Sequence, residues 1–461
     1  MQKNKTKDII IVGFALFAIF FGAGNLIFPP YLGILAGDGW LKSAIGFLIA
    51  DPIFPVVGVI ATAMVGGMAD DMGKRVSHKF AVALGFISVT VLCVLFAVPR
   101  TAATAHEVFT VQVFGDGSID SVAPWITSLI FFALSWLCVI RSAKVVDIIG
   151  KFLTPILIII LVGTIIIAIF NPMGEVATNS PGVQAGIIDN LFIKGFTEGY
   201  RTMDALGSAL MAGIVVTDLI NKGYNDEGER FKASVGVGLV AAILLAIVYG
   251  GLTYVGATAS SNPKFVEYMA AGDRTNILVG IFTAMYGVAG KWAIGIATAL
   301  ACLTTSVGLT GVAGNFFTRV FNKDEKFYQI VVTCSTILAF FISLFGVSTI
   351  INFAVPILAI LYPIYMGLFI ITLFDKHIKY NWTYTGAVIF IALISVPKGI
   401  AQLCAMNKWA TPGFIDAIMG FINKIPLTSL DMNWIIPAII GAVLFTAISA
   451  FGKVGKTRDD M

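Results

Sequence analysis

Two segments of this chain carry residue types that a helix buried in lipid tolerates only where its backbone finds other partners. The first reads Phe20-Phe21-Gly22-Ala23-Gly24-Asn25-Leu26-Ile27-Phe28-Pro29-Pro30. Glycine lowers helix stability by about 1 kcal/mol relative to alanine and adopts non-helical angles readily. A break there frees N–H groups on one side and carbonyls on the other. The second segment reads Gly199-Tyr200-Arg201-Thr202-Met203-Asp204-Ala205-Leu206-Gly207-Ser208. Broken half-helices have a definite chemistry. Their N-termini offer N–H donors and a positive dipole end to a carboxylate, and their C-terminal carbonyls suit an ammonium or an alkali cation. A zwitterion fits both ends. Small residues at either place would also serve close helix packing, so the pairing of the two segments is the stronger signal.

A third element is Ala301-Cys302-Leu303-Thr304-Thr305-Ser306. Ala301, Thr304 and Thr305 follow i, i+3, i+4 spacing, which brings one carbonyl and two hydroxyls to one helix face. Neutral hard oxygens suit Na+, although such hydroxyls also bond their own preceding carbonyls. Charges at membrane depth are functional candidates by default. Asp51, before Pro52, could accept from N–H groups freed at a break, and Asp204 could cap the helix that follows it or face an ammonium or a cation. Arg100 calls for an anion, with Asp51, Glu107 and Asp204 as the options. Lys194, Glu198 and Arg201 share a helical face and are read as lining an outer vestibule. The five cysteines form no CxxC pair. No GxSxG, Walker A, zincin or nucleic-acid motif is present, so an enzyme or a nucleic-acid binder is not indicated.

The elements that position these groups follow from composition. Of 461 residues, 58% are hydrophobic and 12% charged, with a mean hydropathy of +0.92. Apolar runs of about 20 residues, each enough to cross hydrocarbon, recur along the chain, and in lipid they must be helices. The expected class is an all-α polytopic membrane protein of about twelve spans: 8–36, 41–65, 80–109, 122–140, 145–170, 187–220, 231–257, 292–320, 327–345, 349–374, 382–400 and 434–451. About two-thirds of the 30 Lys and Arg residues fall on one side of this scheme, which predicts cytoplasmic termini. Residues 262–290 are read as an outer cap of short helices, and 401–432 as a second outer loop. The two interrupted segments lie in the first and sixth spans. A repeat of five spans, odd in number, would place the second copy inverted, and matched interruptions in inverted halves point to a transporter's binding site. The expected units are 8–170, 187–374 in inverted orientation, and 382–451 as two accessory helices.

The run Asp8-Ile9-Ile10…Phe21-Gly22-Ala23-Gly24-Asn25-Leu26-Ile27-Phe28-Pro29-Pro30 resembles the opening signature of bacterial branched-chain amino acid:cation symporters of the BrnQ type. Gly199-Tyr200…Thr202-Met203-Asp204-Ala205-Leu206 is similar to that family's sixth-helix motif. The resemblance implies a LeuT-like five-plus-five inverted repeat plus two helices. It also implies uptake of leucine, isoleucine and valine with Na+ or H+ across the bacterial cytoplasmic membrane. Substrate contacts would come from Ala23, Gly24 and Asn25, and from Thr202, Asp204, Ala205, Leu206 and Gly207. The Na+ ligands would be the carbonyls of Ala18, Phe21 and Ala301 and the hydroxyls of Thr304 and Thr305, with Ser306 and Cys302 entering if the register moves by one. Such proteins often place a substrate-contacting tyrosine in the third span, and 80–109 contains none. The rival reading is a proton-linked exchanger or ion channel that uses Asp51 and Asp204 as a relay.

Overall fold

The computed structural model describes residues 5–115, 123–141, 149–202 and 204–452. The described residues are almost entirely helical, as the unbroken apolar runs require. In chain order the helices are α1 (Lys5–Phe20), α2 (Ala23–Ala36), α3 (Trp40–Leu48), α4 (Phe54–Met64), α5 (His78–Phe114), α6 (Ala123–Val139), α7 (Thr154–Phe170), α8 (Leu191–Tyr200) and α9 (Asp204–Asn221). They continue as α10 (Glu227–Ala257), α11 (Pro263–Ala271), α12 (Arg274–Tyr286), α13 (Val288–Val320), α14 (Glu325–Ser343), α15 (Gly346–Leu373), α16 (Trp382–Met406), α17 (Gly413–Ile422) and α18 (Ile435–Gly452).

Among the described residues, 10 helical stretches are long and apolar enough to cross a membrane. Two places account for the difference from the expected twelve. Ala123–Val139 is shorter than the others, with 17 residues, and the helix after the first break runs on into the next as Gly24–Met64. The long third run, α5, contains wide turns at Val89–Phe96 and His106–Thr110. Pro99 lacks an N–H, and three residues before it Phe96 leaves helical geometry at φ −123° and ψ −71°.

Both interruptions are present. The chain leaves the helix between Phe20 and Ala23 and again in a turn at Arg201 and Thr202. The broken pieces are held by close helix crossings. A Cβ on Gly33 or Gly256 would meet the backbone of the facing helix at about 2.0 Å, so α2 and α10 approach only through glycine. The same holds for Gly46 and Gly195 between α3 and α8. Lys74, Arg75, Arg230 and Lys376 gather at one end of the bundle around a cavity of about 670 Å3. The stretch read as a cap holds the short helices α11 and α12, which pack on α2 at the other end.

Candidate functional site

The end of α1 shows where freed backbone groups go. Its last carbonyls would be orphans in an ordinary helix terminus. Phe17 O accepts from the Phe21 N–H at 2.8 Å, and Phe20 O accepts from the Gly22 N–H at 2.8 Å. The Thr304 hydroxyl donates to Ala18 O at 2.8 Å and to Ala301 O at 2.9 Å. The Thr305 hydroxyl donates to Ile19 O at 2.9 Å. Side chains of α13 therefore complete the terminus of α1 across the bundle, and four of the expected Na+ ligands, Ala18, Ala301, Thr304 and Thr305, lie together. Phe21 sits at the break, its ring stacked on Phe17 and Tyr249. Ser306 turns elsewhere: its Oγ lies 2.9 Å from Ser135 Oγ on α6.

On the other side of the break, α2 begins at Ala23 with no side chain capping its first N–H groups. An ideal Cβ at Gly24 would lie 3.3 Å from the Phe28 ring and 4.0 Å from Arg100 Nη2. In the second break, the Thr202 hydroxyl donates to Gly199 O at 2.7 Å and lies 3.4 Å from the Asp204 N–H. Met203 lies outside the described residues. Ala205 and Leu206 are buried in the packing, so what they present toward the break is the first turn of α9 rather than their side chains.

Asn25 joins the two breaks. Its Nδ2 is 2.5 Å from Asp204 Oδ2, 2.8 Å from Asp51 Oδ2 and 2.6 Å from the Tyr249 hydroxyl. This differs from the capping expected of Asp51. Asp51 lies in a kink with φ −151° and ψ 111°, and its carboxylate meets the amide of Asn25 instead of a freed backbone N–H. Asp204 likewise accepts from that amide. A cavity of about 40 Å3 adjoins the cluster, its lining including Asn25, Arg100, Thr202 and Asp204 together with Gly22, Gly207 and Thr305. Arg100 thus shares its cavity with Asp204, one of its three candidate anions, and its guanidinium lies over the Phe96 ring at 4.9 Å. The third span, which has no tyrosine, contributes Leu92, Phe96 and Arg100 to this wall.

Glu198 is fully buried and takes three cations: Lys194 Nζ at 2.7 Å, Arg274 Nη2 at 3.0 Å and Arg201 Nη1 at 3.6 Å. Arg274 comes from the cap helix α12 and lies over the rings of Phe28 and Tyr31. Glu198, expected to line a vestibule with Lys194 and Arg201, is instead buried in an ion-pair cluster that ties α8 to α12. At the basic end, Arg319 of α13 pairs with Asp70 at 2.5 Å.

Tyr249 was not singled out from sequence. Its signal was a phenol in the middle of an apolar span, which reads equally well as packing.

Residues 5–451 match the family model described as branched-chain amino acid transport protein. The chain is 34% identical over 456 residues to the branched-chain amino acid permease BraB of Bacillus subtilis, covering 99% of this chain and 98% of that one. It is 30% identical over 463 residues to the branched-chain amino acid transport system 2 carrier protein of Pseudomonas aeruginosa, covering 100% and 99%. Among solved structures, a substrate-bound, outward-open Na+-coupled sialic acid symporter matches with a TM-score of 0.58 at 13% identity, covering 98% of this chain and 90% of that one. MhsT in complex with L-phenylalanine matches with a TM-score of 0.50 at 17% identity, covering 95% and 98%. These likenesses show a LeuT-like fold.

Proposed function

The chain belongs to the family of branched-chain amino acid transport proteins, and on that premise we propose that it is a secondary active symporter for leucine, isoleucine and valine, driven by Na+. The observation that carries the reading is the meeting of two helix breaks through the Asn25–Asp204 contact, beside an α1 terminus completed by Thr304 and Thr305. The substrate carboxylate would take the N–H groups that open α2 and α9. The ammonium would face Asp204 and the carbonyl ends of α1 and α8. Na+ would lie among Ala18, Phe21, Ala301, Thr304 and Thr305, where its positive charge replaces the hydroxyl protons as partner for the carbonyls. This cation is cargo, moved with the amino acid.

The packing of the broken helices supports the inverted repeat. Both halves of each broken helix pack on one neighbouring span, α1 and α2 on α10, and α8 and α9 on α3 and α4 respectively, as an exchange of first with sixth and second with seventh spans would require. Alternating access would then open the basic end or the cap end around one site. The basic end faces the cytoplasm of a bacterial plasma membrane in this reading, with both termini on that side.

The test is uptake of [14C]leucine into proteoliposomes under imposed gradients. Accumulation under an inward Na+ gradient, absent with K+ alone, supports symport. Uptake that no cation gradient drives, or current without substrate, overturns it.

A further inference from the structure

We propose that Arg100 is the receptor for the substrate's α-carboxylate, so that the site takes amino acids with a free carboxylate and rejects the corresponding amines, alcohols and amides. The inference rests on the reading of the two breaks as an amino acid site.

The first argument is position. Arg100 follows Pro99 in α5 and lines the cavity at the two breaks. An ideal Cβ on Gly24 would lie 4.0 Å from its Nη2, so the guanidinium stands beside the first turn of α2. That turn begins with N–H groups that no side chain caps. A carboxylate placed there meets backbone donors and a positive dipole end from α2, and a fixed positive charge from α5. The rest of the lining matches the other parts of an aliphatic zwitterion. Asp204 offers a carboxylate to an ammonium, and Leu92, Phe96, Met211 and Leu309 are apolar. At about 40 Å3 the cavity is smaller than leucine, and Met211, unbranched and adaptable, is the side chain best suited to yield.

The second argument is the guanidinium itself. It carries five N–H donors in a planar fork. Among the described residues it forms no ion pair and donates no hydrogen bond, and it lies over the Phe96 ring at 4.9 Å. Other arginines are filled: Arg75 by Asp375, Asn381 and the Ile378 carbonyl, and Arg319 by Asp70. An unfilled guanidinium within a membrane span is costly, and a planar carboxylate is the group its fork accepts at two points. Asp204 attracts Arg100 from the same lining, but one of its oxygens is committed to the Asn25 amide.

A zwitterion between the two residues sets its carboxylate on Arg100 and its ammonium on Asp204, so each fixed charge gains an opposite partner. Turned the other way, it would bring like charges together at both ends. Arg100 therefore also fixes the direction in which the substrate lies.

The test uses the full-length protein in detergent at saturating Na+, which keeps the positive charge at the α1 terminus constant. The readout is the ligand-induced rise in melting temperature against the concentration of L-leucine or L-leucinol. Leucinol keeps the ammonium and the side chain but carries a hydroxymethyl group in place of the carboxylate. The wild type should bind leucine about a hundredfold more tightly than leucinol. In Arg100→Gln the affinity for leucine should fall about thirtyfold, as expected for losing a hydrogen-bonded charge, while that for leucinol stays within about threefold of wild type. Arg100→Lys keeps the charge without the fork, and there leucine alone should weaken by about fivefold; this variant decides if Arg100→Gln does not fold. Equal weakening of both ligands would mean that Arg100 serves only Asp204 or the fold, and overturns the proposal. Leucinol binding as tightly as leucine in the wild type, or unchanged leucine affinity in both variants, also overturns it. Counterflow of [14C]leucine in proteoliposomes reads transport separately: its absence in a wild type that binds leucine removes the symport reading and leaves the carboxylate assignment standing.

Discussion

Replacing Thr304 with valine removes one oxygen and keeps nearly the same volume in a fully buried place. Two effects oppose each other. With Na+ bound, the ion loses a ligand, and a hydrogen bond or contact to a charged group is worth about 1.5–3 kcal/mol. Without Na+, Ala18 O loses the donor now 2.8 Å away, which costs the ion-free state about 1–3 kcal/mol and so favours ion binding. The second effect offsets part of the first. A displaced carbonyl that regains half its bonding cuts the second effect to about 1 kcal/mol, and the net of about 1.2 kcal/mol is roughly an eightfold rise in the half-saturating Na+ concentration for [14C]leucine uptake. Thr305→Val removes the hydroxyl donor to Ile19 O and should act in the same direction. Thr298 is the control: it lies on the same helix, equally buried, and its hydroxyl has no partner. Thr298→Val should leave Na+ dependence within twofold. Unchanged Na+ dependence in both Thr304→Val and Thr305→Val, or an equal shift in Thr298→Val, refutes the reasoning.

Gly24→Leu should abolish detectable leucine binding by scintillation proximity, since its Cβ alone reaches 3.3 Å from Phe28 and the larger side chain fills the space before Arg100; affinity within threefold of wild type would remove the first break from the site. Arg274→Ala should lower the melting temperature in detergent by an amount equivalent to about 1–2 kcal/mol, less than a fully unpaired buried charge costs, because Lys194 remains 2.7 Å from Glu198. Arg75 ties two loops at the basic end through Asp375 at 2.6 Å, Asn381 at 2.8 Å and the Ile378 carbonyl at 2.9 Å. Lysine cannot reproduce that planar fork, so Arg75→Lys should destabilise the protein nearly as much as Arg75→Ala in the same melting assay.

The sequence made the broken helices legible because glycine and a mid-span aspartate act locally: Gly22, Gly24 and Asp204 disturb the helix that contains them. The Thr304–Thr305 pair was legible through helical spacing, since i, i+3, i+4 positions share a face whatever surrounds them. Long-range pairings were not. Nothing within α10 marks Tyr249 as the partner of Asn25, because that contact depends on how closely α2 and α10 cross, and Gly33 and Gly256 set this from separate parts of the chain. Asp51 was legible as a charge in the wrong medium but not in its partner. Local reasoning gave it the nearest freed backbone, whereas tertiary packing brought a side-chain amide closer. Ser306 shows the same limit, since Ser135 on α6 competes for its hydroxyl.

The most direct measurement is a cryo-EM structure of the protein with saturating leucine and Na+. The account predicts the leucine carboxylate within hydrogen-bonding distance of the N–H groups that open α2 and α9, with its ammonium toward Asp204. Leucine bound elsewhere, or a continuous helix through Gly22–Gly24 or through 201–203, would contradict it.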